Sequence, residues 1–511
     1  MTRRLDPTPL VRPLARRRMD RLWRGDAVAA QRRILQRLIR RARDTRFGRA
    51  HDFAAIDDVA DFQRAVPLRA YEDFWQNWWQ PAFPVLEDVT WPGRIPFFAV
   101  TSGTTSGRTK YIPLTHATIK QNERAALDML AAHLEAHPKS RLFGGRSFVL
   151  GGSTDLVEEA PGVWSGDLSG IVNTTAPRWM RPFTFPPEHL ALISDWDEKL
   201  EAFVRAIGDR TITALSGVPS WVLLYFERLE QTYDAWPLAE LELYIHGGVS
   251  FEPYGKRFAP YLERSGAVTR EVYPASEGFV AFADRGPGEG LLVSFDTGLF
   301  FEFVPVADLA SEAPRTHWLG DVEPEVEYAV ALTGPSGLWR YLVGDTVRFV
   351  ETCPPRLLIT GRTAYMLSAF GEHLIQSELD EAIIGAVEDA GATVQEYVVG
   401  PVLPEDGLGH HVVLIEPGEA AALDADALAA DIDARLCRLN DDYAVHRKDD
   451  VAMARPVVRL LPPGACAEWM RRQGKIGGQH KVPRVIADAA RFADARAGLD
   501  AVARELAAAD H

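Results

Sequence analysis

At 511 residues the chain is too long for one core of typical size, and two or three domains are expected. Hydrophobic residues at 47% and charged residues at 25% are ordinary for a folded globular protein and exclude wholesale disorder. A formal net charge of -15 argues against a nucleic-acid partner, and an anionic ligand must be met by cations placed locally.

Residues 1–90 read mainly as helices, one with an apolar face of Ile34, Leu35, Leu38 and Ile39. The basic cluster Arg12, Arg16, Arg17 and Arg18 is not followed by an apolar segment, so it reads as a solvated helix face and not as a secretory signal. Trp75, Trp78 and Trp79 read as core or as the wall of a substrate pocket. No apolar run approaches the roughly 20 residues that span a bilayer, and a cytoplasmic protein without a membrane partner is expected.

Thr101-Ser-Gly-Thr-Thr-Ser-Gly-Arg-Thr-Lys110 reads as a loop between the strand-like Pro96–Val100 and a helix capped by Thr115. That helix carries Ile119, Ala126, Leu127, Leu130 and Leu134 at helical spacing and ends before Pro138. Glycines let backbone N–H groups approach a polyphosphate, and small hydroxyls add donors without bulk. The spacing is not that of a Walker A loop, because three residues separate Gly103 from Gly107 and Arg108-Thr109 follow. Taken alone, the stretch reads better as an ordinary turn than as a site.

From there to about residue 360, strands at 148–150, 212–215, 241–245 and 329–332 alternate with helical stretches, which points to an α/β domain whose sheet is covered by helices. Beyond Gly361-Arg362 the pattern changes. An amphipathic segment 376–390, strands at 397–399 and 412–415, and Ala/Asp-rich helices near 419–434 and 494–510 suggest a compact α+β unit. The boundary is placed between 364 and 371, giving a large domain 1–366 and a small one 367–511. Cys353, Cys437 and Cys466 are too widely spaced for a zinc pattern or a disulfide framework, and none is assigned a role.

Several short motifs are individually weak. His246-Gly247-Gly248 follows a strand, at a place where open α/β sheets bind ligands. Tyr273-Pro-Ala-Ser276-Glu277-Gly278 puts a hydroxyl and a carboxylate at a strand turn; beside a phosphate loop such a carboxylate can hold magnesium. Gly344-Asp345 offers an acceptor suited to two ribose hydroxyls, or is an ordinary turn. Gly361-Arg362 reads as surface punctuation or as a cationic contact to a nucleotide. Gly474-Lys475-Ile-Gly-Gly-Gln479-His480-Lys481-Val-Pro-Arg484 concentrates cations in a glycine-rich loop, where a mobile ammonium can neutralise phosphoryl charge, or is simply solvated.

Together and in this order, these motifs resemble the Gretchen Hagen family of acyl-acid amido synthetases, in a bacterial form, within the adenylate-forming ligase superfamily. The resemblance is carried by the Thr101–Gly107 stretch, Gly247-Gly248, Tyr273–Phe279, Gly337–Asp345, Gly361-Arg362 with Phe370-Gly-Glu372, Leu439–Tyr443 and Gly478–Arg484. It implies an α/β fold with a large N-terminal domain and a small, mobile C-terminal α+β domain that rotates between two half-reactions. A carboxylic acid would attack the α-phosphate of ATP to give an acyl-adenylate and pyrophosphate, and an amine or amino acid would then displace AMP to leave an amide.

The resemblance also implies roles. Ser102, Gly103, Thr104, Thr105 and Ser106 would hold the triphosphate, and Gly247 and Gly248 would form part of the adenine slot with Tyr273 packed on the base. Ser276 would bond the α-phosphate, Glu277 would bind Mg2+, and Asp345 would grip the ribose with Arg362 nearby. Lys481 would be the lysine that enters for adenylation.

This sequence departs from the family pattern at Pro274, where relatives carry a small polar residue, and at Ala364, where many adenylate-forming ligases place an acidic hinge. Lys475 competes with Lys481 for the catalytic role, and Lys481 is preferred because its flanking residues fit better. Trp164, Trp179 and Trp221 lie where the acyl pocket is expected, or are core. The alternatives are an acyl-CoA ligase sharing the first half-reaction, a nucleotide-binding regulator without turnover, and a kinase. A monomer is expected.

Overall fold

A computed structural model of the chain describes residues 6–102, 109–151, 156–175, 178–191, 193, 196–208, 210–248, 251–309, 311, 313–363, 367, 374–403, 408–418, 423–440, 443–444, 447, 453–473 and 482–509. It divides into two compact units: Met1–Val343 with Val347–Ile359, and Gly344–Thr346 with Thr360–His511.

The first unit opens with helices Thr8–Arg24, Ala27–Ala42, Arg46–Ala50 and Val59–Ala65. Asp26 caps the second by accepting from the N–H of Ala29, which satisfies one of the donors that a helix start leaves free. Ile34, Leu35, Leu38 and Ile39 are all buried, as their spacing requires, against Phe47, Phe62, Phe74 and Trp339. Each such side chain contributes about 1.5–3 kcal/mol by leaving water. Trp79 is fully buried in the same core, and Trp75 stacks on Tyr71 and Tyr111.

Among the described residues the unit contains a twelve-stranded sheet, and the strands Leu338–Thr352 and Pro355–Arg362 within it also contribute residues to the second unit. Its parallel part runs Thr184–Phe185, Arg146–Leu150, Ile212–Gly217, Leu243–Gly247 and Val268–Ala275. Helices Trp196–Ile207, Pro219–Thr232 and Glu252–Ser265 alternate with these strands, as expected of an α/β domain. The alternation stops at Ser265, earlier than the sequence suggests. Among the described residues, the chain from 266 to 362 forms strands, turns and one short 3-10 turn, Val306–Asp308, with no α-helix. Glycine turns permit direct antiparallel return there, and Gly298 and Gly337 adopt φ +133 and +85.

The second unit has a three-stranded sheet in the order Val394–Val402, His410–Pro417, Val457–Leu460, the first pair antiparallel and the second parallel. Its strands obey a period of two. Val399, Val413 and Ile415 face Leu379, Ile383 and Ile432, whereas Val398, Val412 and Leu414 face Trp469, Phe492 and Leu499. The helices Gln376–Asp389 and Ala425–Leu439 serve the first core, and Ala465–Arg472 and Ala489–Ala509 the second. No described helix is long and apolar enough to cross a membrane.

Candidate active site

The expected phosphate loop is shorter than its sequence suggests. Strand Phe97–Ser102 pairs antiparallel with a second strand, Thr109–Leu114, with Thr101 opposite Lys110 and Ser102 opposite Thr109. The loop therefore does not lead straight into a helix. Gly103, Thr104, Thr105 and Ser106 lie outside the described residues. Tyr71 fastens the second strand, its hydroxyl accepting from the Tyr111 N–H at 2.9 Å, and the Lys110 ammonium lies 5.4 Å from the centre of the Tyr71 ring.

Helix His116–Ala136 follows at once. Thr115 caps it as read from the sequence, accepting from the Thr118 N–H at 3.2 Å and donating to the Pro335 carbonyl at 2.8 Å. Ile119 and Leu134 are buried and Ala126 and Leu130 partly so, but Leu127 is 59% exposed. The helix instead buries Ala125, Met129 and Ala132, one position round from the face that Leu127 suggested.

Gly247 ends the strand Leu243–Gly247, in parallel register with Val272. A Cβ on Gly247 would stand 2.2 Å from the Val272 carbonyl oxygen, so glycine alone fits. Gly248 takes φ +78, which continues the turn at a conformation other residues adopt only at a cost. His246, just before it, is buried, stacks on Phe251 at 4.2 Å, and has no hydrogen-bond partner at Nδ1 among the described residues. Burial pushes its pKa down to about 4, so the ring is neutral near pH 7.

The neighbouring strand Val268–Ala275 continues past Val272 to Tyr273, which is buried, and then turns. Ala275 pairs with Gly278 across a hairpin whose two linking residues are Ser276 and Glu277, both half-buried. The Gly247-Gly248 turn and this hairpin therefore leave the carboxyl ends of adjacent parallel strands, the usual ligand position of an open α/β sheet. Burial, and then the nearby Glu277 carboxylate, push the Tyr341 phenol well above its ordinary pKa.

Arg340, next to Tyr341, is held at φ +50, a strained value for a residue with a side chain. Its guanidinium repays the strain with a buried array: Nε to Glu302 at 3.0 Å, Nη1 to the carbonyls of Gln63 and Val66 at 2.9 and 2.7 Å, and Nη2 to Thr316 at 2.9 Å. Burial raises the pKa of Glu302, and Arg340 opposes that shift.

In the second unit, Arg362 Nε lies 2.8 Å from the Asp345 carboxylate. Asp345 follows Gly344 at φ +93 within the strand Leu338–Thr352, and Arg362 ends the strand Pro355–Arg362. Lys481 and its rival Lys475 lie outside the described residues, as do Ala364 and Phe370-Gly-Glu372. Arg484 is buried; its Nη1 lies 3.1 Å from Asp380 and its guanidinium 5.2 Å from the centre of the Tyr397 ring.

Trp164 and Trp221 are partly buried in the first unit, and nothing assigns either to a pocket. Cys466 is buried and Cys353 exposed, and burial raises the thiols of Cys437 and Cys466, so neither of these two is poised as a thiolate. No group of three or more His, Cys, Asp or Glu capable of holding a metal ion occurs among the described residues.

Three family domains succeed one another along the chain. The GH3 family N-terminal domain matches residues 21–235, the GH3 family central domain residues 292–362, and the GH3 family C-terminal domain residues 377–490. The chain belongs to the GH3 family.

A GH3 relative from Oryza sativa subsp. japonica, named probable indole-3-acetic acid-amido synthetase GH3.9, is 28% identical over 239 residues, 43% of this chain and 54% of that protein. Indole-3-acetic acid-amido synthetase GH3.4 of Arabidopsis thaliana is 28% identical over 222 residues, 39% of this chain and 36% of that protein. The chain thus spans about half the length, or less, of these curated relatives. In fold it resembles the GH3.15 acyl acid amido synthetase solved in complex with 2,4-DB, with a TM-score of 0.75 at 18% identity over 98% of this chain and 97% of that one. It also resembles a 2-hydroxyisobutyryl-CoA ligase solved in the postadenylation state, with a TM-score of 0.60 at 17% identity over 94% of each chain. The fold is therefore that of GH3 proteins and adenylate-forming ligases, as the sequence resemblance implied.

Proposed function

We propose that this GH3 protein is an ATP-dependent ligase that adenylates a carboxylic acid and transfers the acyl group to an amine or amino acid, forming an amide. The observation that carries this reading is the Ser276-Glu277 turn, presented beside Gly247-Gly248 at the carboxyl ends of adjacent parallel strands. A hydroxyl and a single carboxylate at that place suit a nucleotide phosphate and the cation that accompanies it.

In the first half-reaction the acid's carboxylate oxygen attacks the α-phosphorus of ATP, and pyrophosphate leaves with the bond it breaks. Ser102 and residues 103–106 grip the triphosphate, Ser276 orients the α-phosphate, and Gly247-Gly248 with Tyr273 receive the adenine. Asp345 accepts from the ribose hydroxyls, with Arg362 beside it, and Lys481 neutralises charge on the oxygens around the α-phosphorus. Glu277 would hold magnesium, which when bound offsets the triphosphate's charge. In the second half-reaction the amine attacks the acyl carbon and AMP leaves. Alignment and charge neutralisation supply the rate. We take the enzyme to be a cytoplasmic monomer acting on diffusible substrates.

The test is incubation with ATP, magnesium, a panel of carboxylic acids and either amino acids or coenzyme A. Amide, AMP and pyrophosphate are expected. Acyl-thioester without amide would make the protein an acyl-CoA ligase, ADP would mark a kinase, and ATP binding without acid-dependent pyrophosphate release would mark a regulator.

A further inference from the structure

Two consecutive side chains of helix His116–Ala136 grip one residue of the hairpin that presents Ser276-Glu277. Gln121 Nε2 donates to the Phe279 carbonyl at 2.9 Å, and the Phe279 N–H donates to Asn122 Oδ1 at 3.0 Å and to Gln121 Oε1 at 3.3 Å. The pairing of the two hairpin strands shifts register between Phe279 and Ala281, so the amides serve backbone groups at an irregular step of the ladder. Gln121 Nε2 also donates to Thr297 Oγ1 at 3.0 Å, and Thr297 in turn donates to the Ser294 carbonyl at 2.9 Å. Gln121 is 2% exposed, and a Cβ on Gly278 would stand 2.6 Å from Leu299 Cδ1, so the hairpin has little room to shift.

The gripped residue lies two positions beyond Glu277, close enough for its placement to set that of the turn. The gripping helix begins directly after the strand Thr109–Leu114, which returns from the phosphate segment. The strand and the helix after it thus connect the two pieces that the proposed function brings to one polyphosphate.

We propose that Gln121 and Asn122 are positioning residues that hold the Ser276-Glu277 turn in register with the helix following the phosphate loop, and so set the affinity of the site for divalent metal with ATP. The inference rests on Glu277 acting as the metal-binding carboxylate. Neither amide contacts substrate in this scheme, and both act through the backbone of Phe279.

The test uses the full chain with Mn2+ as probe, read by electron paramagnetic resonance in the presence of a non-hydrolysable ATP analogue. Asn122→Ala, at a half-buried position, removes one acceptor, and Gln121→Met removes the buried amide with little change in shape. Loss of one hydrogen bond predicts Mn2+ affinity lower by about three- to tenfold in Asn122→Ala. Analogue binding without metal is expected to fall less than Mn2+ binding, because of the turn's two side chains only Ser276 then meets the phosphates. Melting temperature is measured alongside. A variant that melts earlier yet binds Mn2+ normally would make the clamp purely structural and overturn the proposal. Glu277→Gln, run in parallel, separates the two claims. If it weakens Mn2+ binding and Asn122→Ala does not, the clamp inference fails alone; if Glu277→Gln binds Mn2+ normally, the metal-binding assignment fails and the clamp's role fails with it.

Discussion

Arg362 Nε meets the Asp345 carboxylate at 2.8 Å, but the partners are unequal: the Arg362 side chain is 44% exposed and that of Asp345 10%. An ion pair open to water on one side adds little stability. Its geometry matters more, because the arginine holds the carboxylate in a fixed orientation.

On the proposed role of Asp345 at the ribose, Asp345→Asn is expected to raise the KM for ATP by about ten- to hundredfold, since charge-assisted bonds to two hydroxyls would be replaced by weaker ones. Initial rates of acid-dependent pyrophosphate release against ATP concentration check this. An unchanged KM would remove Asp345 from the nucleotide site.

Lys481→Ala should slow acid-dependent pyrophosphate release by about a hundredfold or more while leaving ATP binding intact, as loss of a group that stabilises transition-state charge does. Lys475→Ala is the matched comparison. If Lys475→Ala alone has the large effect, the assignment passes to Lys475.

Arg340→Met breaks a buried pair and strands Glu302, whose side chain is 1% exposed. A cost of about 3–5 kcal/mol is expected, read as a fall in the denaturation midpoint of the first unit. The accompanying change Glu302→Leu should restore part of that loss, because no buried charge is then left unpaired. A further fall in the double variant would contradict this account of the pair.

His246 is neutral when folded because burial lowers its pKa from 6.5 to about 4. Between those values the unfolded chain binds more protons than the folded one, so this contribution is complete above pH 6.5 and is lost as pH falls toward 4. The loss is on the order of 3 kcal/mol. Denaturation midpoints of wild type and His246→Phe, each at pH 7 and pH 5, isolate it: the wild type should lose more on acidification. Equal losses would assign the effect to other groups.

Local chemistry explains what the sequence shows plainly. Thr115 precedes a run of helical periodicity and caps it, and Ser276-Glu277 stands between a strand-forming run and a glycine, where it makes a two-residue turn. The strand Thr109–Leu114 is hidden in the sequence because Lys110 and Pro113 interrupt its apolar pattern, although Tyr111, Ile112 and Leu114 supply strand-forming side chains. The alternation of strands and helices ends sooner than the sequence suggests because short apolar runs do not reveal whether the chain returns through a helix or a hairpin. In the sequence Arg340 is one position of the Gly337–Asp345 motif, and Gln121 stands in no motif. The partners of Gln121 lie 158 residues away or farther, and Arg340 reaches back 277 residues to Gln63, so no local pattern marks either side chain as buried or paired.

Because Ser102 and Thr109 are opposite each other, the segment between them is bounded by a closed backbone ladder. That makes residues 103–108 a natural cassette. A segment of the same length from another GH3 protein can be spliced in without re-registering the sheet on either side, whereas a longer or shorter one must be absorbed within the graft. Exchange between relatives thus offers a way to vary this segment alone while leaving the rest of the chain untouched.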